Sequence, residues 1–379
     1  MAPSRPPSKK DKNEKGQGVA GLLTDAETQL QVGNLDEAIA LATQALETTG
    51  DGGDFELRAL NLLGILYLEA GEVDEARELF GRAVSLDEDG SLDEKVGGGP
   101  DKFMFLAQLS DEGGQDSVRW FERGAAALRT QIQALTEVER RTTEQQEALE
   151  EKQDKLGGVL CAVAEVYMTD LSWEDDAEQR CDALITEAML IAPKSPETWQ
   201  TVANVRISQE RADEARQALK QSLELWKDLP ASHPAIPEFP TRISLVRLLL
   251  EVALEEDALG VLHRLVTDDD QSVEAWYLGG WCLYNMGEKV RDAKGSSGKQ
   301  SNGAEEAEWK ETWRSARKWL SRCLKLFEVQ EYEDERLGQH AVELRESINK
   351  VLGEPAEGED EEWDDGSDDD SDEDEEMQG

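Results

Sequence analysis

Residues 60–80, LNLLGILYLEAGEVDEARELF, decide the fold because they encode two helices joined by a short turn. Leu63 and Tyr67 lie four positions apart, so they share one face of the first helix. Ala76 and Phe80 are also four apart, and they begin the buried stripe of the second helix. The stretch therefore predicts a pair of helices packed through small and aromatic side chains.

The same residues match the tetratricopeptide pattern W-x2-L-G-x2-Y…A-x3-F, with Leu60 in the place of the tryptophan. Gly64 allows the partner helix to approach closely, and Gly71 ends the first helix. One helix pair cannot bury its apolar face alone, so the pattern predicts an array of pairs. Such arrays have a long concave surface that usually binds other polypeptides.

Further copies of the pattern extend along the chain. The motif G-x2-DEA begins at Gly33 and again at Gly71, and weaker copies follow. Together they predict an all-α fold, a tetratricopeptide-repeat α-solenoid of about seven helix pairs plus a C-terminal capping helix near 331–352. Residues 130–156 are polar and lack proline, and we expect them to continue the third pair as one long helix that leads into the fourth.

Composition divides the chain into a central repeat region and two polar ends. We expect a disordered basic arm over residues 1–18, the solenoid over 19–352 and a disordered acidic tail over 353–379. Within the solenoid, residues 291–304 (RDAKGSSGKQSNGA) predict a flexible loop insertion. The basic arm is either a weak nuclear import signal or a solubilising segment, and the sequence leaves both open.

Charge limits the classes of partner. The chain carries a formal net charge of −44, of which the 16 acidic residues from Glu354 onward contribute −16 and the rest −28. Such a surface does not attract nucleic-acid phosphate, which needs Lys and Arg. It favours a strongly basic partner with rapid, salt-sensitive association. The alternative is that the acidity only keeps the protein soluble.

Nothing in the sequence predicts an enzyme, a cofactor or a metal site. The three histidines (His233, His263 and His340) are far apart, and no hydrolase, metalloprotease or phosphate-loop motif occurs. The cysteines lie at core-like helical positions without a C-x2-C pair, so we expect small buried hydrophobes in a reducing compartment. They are Cys161, Cys181, Cys282 and Cys323. No apolar stretch is long enough to span a membrane, and the N-terminus lacks a signal peptide.

Repeat positions that line the inner surface of such arrays predict a client-binding groove. Carboxylates there would pair with Arg and Lys, and aromatic rings would stack on Arg. Core packing is the commoner role of an aromatic residue at helical spacing, and both roles stay open for the three aromatic positions. The predicted groove residues are Glu27, Asn61, Glu69, Glu165, Asn204, Glu251, Asp268, Asp269, Asp270, Glu274, Tyr277, Trp281, Tyr284 and Asn285.

One known mode of tetratricopeptide binding fits poorly. Co-chaperones of the heat-shock proteins hold a C-terminal carboxylate with Lys, Arg and Asn side chains on consecutive first helices. Asn61 and Asn204 occupy such positions, but they fall in repeats that are not adjacent, and the matching lysines are missing. An acidic groove would also repel an acidic peptide.

The paired repeats, the interrupted seventh repeat and the tail EGEDEEWDDGSDDDSDEDEEMQG together resemble a fungal family of dedicated assembly chaperones. The family serves the fourth protein of the large ribosomal subunit. The resemblance implies capture of the newly made ribosomal protein, chiefly through its long basic internal loop, and escort to the nucleus for assembly.

We therefore expect a dedicated chaperone that binds a basic ribosomal protein of the large subunit, keeps it soluble and delivers it for ribosome assembly. The expected complex has one chaperone monomer and one client, with a nuclear import receptor reached through the client, and it occurs in cytoplasm and nucleus. Ser367 and Ser371, each followed by three acidic residues, suit an acidophilic kinase. The alternatives are an acidic histone-type chaperone and a tetratricopeptide scaffold of a chromatin or heat-shock-protein complex.

Overall fold

The structure is a computed structural model that describes residues 9–295 and 303–355. Within these ranges every regular element is helical, which confirms the predicted all-α fold. The helices are α1 (Lys9–Gln31), α2 (Leu35–Thr49), α3 (Glu56–Glu69), α4 (Val73–Leu86), α5 (Asp101–Gln108), α6 (Gly114–Thr136), α7 (Thr143–Met168), α8 (Ala177–Ile191), α9 (Pro196–Ser208), α10 (Ala212–Glu224), α11 (Phe239–Glu251), α12 (Glu255–Asp268), α13 (Val273–Gly295), α14 (Gly303–Val329) and α15 (Glu335–Leu352).

These helices follow the predicted order of seven pairs and a final helix. They form two compact units, which divide between Arg211 and Ala212. The first unit contains α1 to α9, and consecutive helices within it pack against each other. The second contains α10 to α15, and α15 packs against both α14 and α13. Helix α15 therefore occupies the capping position that the sequence predicts.

The deciding stretch forms α3 and α4 in the way its spacing predicts. Phe80 is fully buried, and a β-carbon on Gly64 would lie 2.6 Å from the Phe80 ring, so only glycine fits there. Gly71 has a φ of +79°, and the backbone amide of Glu72 donates to the carbonyl of Tyr67 at 2.8 Å to close the helix end. The first pair repeats this turn, with Gly33 at a φ of +80°.

The long helix predicted over residues 130–156 is interrupted, and that expectation was wrong. Helix α6 ends at Thr136, and α7 begins at Thr143 after a short turn. The backbone amide of Gln145 donates to the Thr142 hydroxyl at 3.2 Å, and the Thr142 amide donates to the Gln145 side chain at 3.0 Å. This reciprocal capping box satisfies two amide groups that would otherwise lack partners. It favours a new helix start over a continuous helix.

The predicted domain boundaries fall partly outside the described residues. Helix α1 begins at Lys9, inside the predicted arm of residues 1–18. Helices α13 and α14 extend into the predicted insertion at 291–304, of which residues 296–302 are not described. The predicted tail lies outside the described residues from position 356 onward, together with both serines proposed for phosphorylation. These boundaries remain predictions.

All four cysteines are buried and unpaired, as expected of small core residues. Burial raises the pKa of Cys282 and Cys323 to about 12 and that of Cys161 to about 11, so their thiols stay protonated and unreactive.

In the described ranges, no helix is both long and apolar enough to span a membrane.

Candidate client-binding surfaces

The first helices of the pairs carry the predicted groove residues, so each unit has its own first-helix surface. In the first unit this surface consists of α1, α3, α5, α7 and α9, and in the second of α11 and α13. We call each of them a first-helix surface. The predicted residues differ in whether their side chains are already occupied by partners within the protein.

Two predicted residues of the first unit are engaged in internal contacts. Glu27 on α1 forms an ion pair with Arg58 on α3 at 2.7 Å, and both side chains are partly exposed. Asn61 donates from its amide nitrogen to the carbonyl of Gly97 at 2.6 Å. Gly97 lies directly on α3, since a β-carbon there would be 2.6 Å from the Arg58 backbone. The segment after α4 thus covers the surface around Asn61.

A buried ion pair holds this covering segment, residues 87–100, in place. Asp87 and Lys102 pair at 2.6 Å with side chains that are 1% and 0% exposed. Asp87 also accepts from the backbone amides of Leu92 and Gly99, each at 3.1 Å. Burial lowers the pKa of Lys102, and the hydrogen bond that its ammonium donates to Asp87 opposes that shift. The segment is therefore an ordered part of the unit. Its Glu94 also pairs with Lys152 on α7.

Three other predicted residues of this unit are open. Glu69, Glu165 and Asn204 lie exposed on α3, α7 and α9, and their side chains make no hydrogen bond or ion pair within the described residues. Solvent reaches Glu165, yet enough protein surrounds it that desolvation raises the pKa of its carboxyl. A carboxylate in this situation gains from a cation that replaces its lost hydration.

The ends of α7, α8 and α9 enclose a pocket of about 430 Å³ that the sequence analysis missed. Its walls include Tyr167, Met168 and Val205, and its rim includes the carboxylates of Glu178 and Glu210. Residues 210–215 repeat the G-x2-DEA motif with Glu210 in the place of the glycine, so the sequence indicates the turn at the edge of the pocket but not the pocket itself.

In the second unit, most of the predicted acidic cluster is paired with arginines. The three pairs are Arg242–Asp268 at 2.6 Å, Arg322–Asp270 at 3.5 Å and Arg247–Glu274. Asp269 accepts from the backbone amide of Gln271 at 2.9 Å and so caps the turn after α12. Glu251 is exposed and makes no side-chain polar contact within the described residues. The cluster is thus less negative than its sequence predicts.

The predicted aromatic residues of the second unit divide between packing and partial exposure. The Tyr277 hydroxyl lies 2.7 Å from Nδ1 of His340 on α15, and the Trp281 ring meets the same histidine edge-on at 6.1 Å. Tyr284 stacks on Trp313 with ring centres 5.2 Å apart. All three of the predicted aromatic side chains remain partly exposed. The capping helix α15 therefore packs through His340 against Tyr277 and Trp281, and part of each ring stays accessible to solvent.

Asn285 completes the predicted set. It is partly buried and lines an open depression of about 640 Å³ with Glu288 and Lys289. Lys289 pairs with Glu255 at 2.5 Å on one side of this depression. The structure therefore joins Asn285 to a mixed-charge surface rather than to the aromatic cluster of Tyr277.

These surfaces can accept hydrogen bonds from cations. In the first unit, Glu69 and Glu165 supply carboxylates without internal partners. In the described parts of the chain, no group of three or more His, Cys, Asp or Glu side chains is placed to hold a metal ion. Burial raises the pKa of all four cysteine thiols, which disfavours a thiolate nucleophile.

Comparison with known proteins finds a repeat family and two relatives that are similar over most of the chain. The family model of the tetratricopeptide repeat matches residues 25–89, which contain the deciding stretch. A protein of Emericella nidulans named "Probable assembly chaperone of rpl4" is 47% identical over 339 residues, covering 89% of this chain and 82% of its own length. A protein of Schizosaccharomyces pombe with the same name is 33% identical over 353 residues, covering 90% and 96%.

A solved structure is similar as well. It is that of "Assembly Chaperone of RpL4 (Acl4) (Residues 1-338)", with 56% sequence identity and a TM-score of 0.68. The match covers 73% of this chain and 99% of the solved one.

Proposed function

Since the chain belongs to the family of assembly chaperones of rpl4, we propose that it binds newly made rpl4, keeps it soluble and delivers it for assembly of the large ribosomal subunit. The observation that carries the proposal is identity of 47% to a relative of that name over 89% of the chain. Membership of a family of assembly chaperones and the tetratricopeptide fold also point to a protein that is not an enzyme.

The physical argument for this function rests on charge. A ribosomal protein that binds rRNA carries basic segments, which associate with any polyanion while they are unshielded. A chain of net charge −44 attracts such segments over long distances. Carboxylates without internal partners, such as Glu69 and Glu165, can form charge-assisted hydrogen bonds with Arg and Lys. Ribosomal RNA, a denser polyanion, can later displace the chaperone.

Release and cellular location follow from the same proposal. One chaperone monomer binds one client and travels with it from the cytoplasm to the nucleus, where an import receptor engages the client rather than the chaperone. The histone-type and scaffold alternatives have no comparable support, because the relatives that cover most of the chain are named for rpl4.

Charge reversal on the first-helix surface tests the proposal. We expect Glu165→Lys to weaken binding of purified rpl4 by about 1–3 kcal/mol, because it removes a hydrogen-bonded ion pair and adds repulsion. Glu78→Lys is the matched control, since Glu78 is an exposed glutamate on the second helix α4. Titration calorimetry at low and high salt measures both. Equal losses for the two variants would place the client away from the first-helix surface.

A further inference from the structure

Helix α14 carries a row of basic side chains in a chain that is otherwise strongly acidic. Residues 312–327 (TWRSARKWLSRCLKLF) include five Arg or Lys and no Asp or Glu, although the whole chain has 84 acidic and 40 basic residues. Four of these five basic residues follow each other at helical intervals of four, four and three, so they share one face of α14. We call these four residues, Arg314, Lys318, Arg322 and Lys325, the basic stripe.

The basic stripe lies on the solvent side of α14. The opposite face packs into the second unit through Trp313, Leu320 and Cys323, which are at most 1% exposed. All four side chains of the stripe are exposed or partly exposed. Within the described residues, Lys318 and Lys325 make no hydrogen bond or ion pair, so their charges are available to a further partner.

The two arginines of the stripe have only exposed partners. Arg314 pairs with Glu311 at 2.6 Å and Arg322 with Asp270 at 3.5 Å, and each of these four side chains is at least 33% exposed. Such exposed ion pairs are weak, so another carboxylate can replace their partners. The exposed Glu328 bounds the stripe at its C-terminal end. Between these acidic residues, the stripe remains a surface that attracts anions.

The acidic tail, residues 354–379, begins beside this stripe. Arg317 on α14 is 3% exposed, and its guanidinium donates to the carbonyl of Gly353 at 3.1 Å and to the Asn349 side chain at 3.5 Å. The Asn349 amide nitrogen in turn donates to the carboxylate of Glu354 at 2.9 Å. The chain therefore leaves α15 next to position 317, which lies between the first two residues of the stripe along α14.

The length and charge of the tail fit the stripe. Residues 359–365 (EDEEWDD) contain six acidic side chains in seven positions. The six residue steps from Gly353 to position 359 can span up to about 20 Å, whereas the stripe is only about 16 Å long. A flexible linker this short keeps the acidic run at a local concentration of about millimolar, so ion pairs that are weak individually can hold it.

We propose that the acidic tail folds back onto the basic stripe of α14 in the protein without a client. Residues 359–365 lie along the stripe, and their carboxylates accept hydrogen bonds from its lysines and arginines. Four cations can pair with only four of the 16 carboxylates of the tail, so most of its charge still attracts a basic partner. A partner that binds the whole tail displaces it from the stripe. This contact does not depend on the identity of the client.

Carbodiimide cross-linking of the full chain at low salt tests the proposal, because this reagent joins an amine to a carboxylate only where the two are in contact. Mass spectrometry should find Lys318 and Lys325 linked to residues 359–365 several times as often as Lys220, an exposed lysine on α10 of the same unit. The links should disappear in about 1 M salt, where the screening length is about 3 Å. A mixture of isotope-labelled and unlabelled chains should show that the links form within one chain.

A variant of the stripe gives a second readout that does not need the lysine amines. A dye on Ser367→Cys reports the rotational freedom of the tail, and it reacts selectively because the four native cysteines are buried. Lys318→Gln with Lys325→Gln should lower the anisotropy of this dye at low salt to the value that the unchanged stripe gives at high salt. The matched control, Lys220→Gln with Lys227→Gln, removes two exposed lysines elsewhere in the unit and should leave the anisotropy unchanged.

Three results would each overturn the proposal. Equal linking of Lys220 and the stripe lysines would mean that the tail has no preferred site on the chain. Links found only between labelled and unlabelled chains would make the occupant of the stripe a second copy. Equal anisotropy in the two double variants, or no links to the stripe at all, would leave the stripe to an anionic partner outside this chain.

Discussion

Replacing Asp87 by alanine should loosen the segment that covers Asn61 and destabilise the first unit strongly. Asp87 accepts three hydrogen bonds, from Lys102 and from the backbone amides of Leu92 and Gly99. Its loss leaves the Lys102 ammonium with only the Gly99 carbonyl, at 2.6 Å, in a site that is 0% exposed. Removing one partner of a buried ion pair typically costs about 3–5 kcal/mol.

A double variant separates the charge from the hydrogen bonds. Asp87→Ala with Lys102→Met removes both charges, so only the two backbone amides lack an acceptor, at about 1 kcal/mol each. The double variant should therefore recover about 1–3 kcal/mol of the loss. Urea unfolding of the full chain measures the free energies, and hydrogen exchange of residues 88–100 reports whether the segment opens.

The pH dependence gives an independent check of the same pair. Burial lowers the pKa of Lys102 below its ordinary 10.5, so in the range just below 10.5 the unfolded chain binds more protons than the folded chain. The contribution of Lys102 to stability therefore rises as pH increases toward 10.5. Removing Asp87 should make that rise steeper. A loss under about 1 kcal/mol in Asp87→Ala, with unchanged exchange of the Leu92 and Gly99 amides, would refute the reasoning.

Three further predictions concern packing, protonation and the tail. Gly64→Ala should lower stability by about 1–3 kcal/mol because its β-carbon meets the Phe80 ring, whereas Gly81→Ala, on an open helical face, should raise it by about 0.5–1 kcal/mol in the same urea assay. At a pH just above 4.5, client binding should release a proton from Glu165, whose raised pKa falls beside a cation; calorimetry in buffers of different ionisation enthalpy detects this, and Glu165→Gln should abolish it. Deleting residues 354–379 removes 16 negative charges and should slow client association at low salt without changing the melting temperature; equal stopped-flow rates would leave the tail only a solubility role.

The spacing of small and apolar residues was sufficient to predict the helix pairs. Gly64 and Phe80 lie four and twenty positions after Leu60, and this local pattern determines which faces are buried. The turn glycines Gly33 and Gly71 adopt the positive φ that their place after a first helix implies. Local periodicity is reliable here because each pair packs mainly against its neighbours in sequence.

The state of each surface side chain could not be predicted from repeat positions. Asn61 occupies a groove position, but the distant Asp87–Lys102 pair brings Gly97 over it. Asp268 appears free in sequence, yet Arg242, 26 positions earlier, neutralises it. Such contacts depend on turn conformation and side-chain reach, which periodicity does not describe. The capping box at Thr142 was visible in the sequence, and it outweighed the helix propensity of the residues around it.

The identity of the client is the central claim, and it is tested most directly by capturing the tagged full-length protein from translating cells. The material recovered at physiological salt is then identified by sequencing of the associated nascent-chain messages and by mass spectrometry. The account predicts strong enrichment of the message and protein of rpl4 over all other ribosomal proteins. Enrichment of core histones, or of basic proteins in general without preference for rpl4, would contradict it.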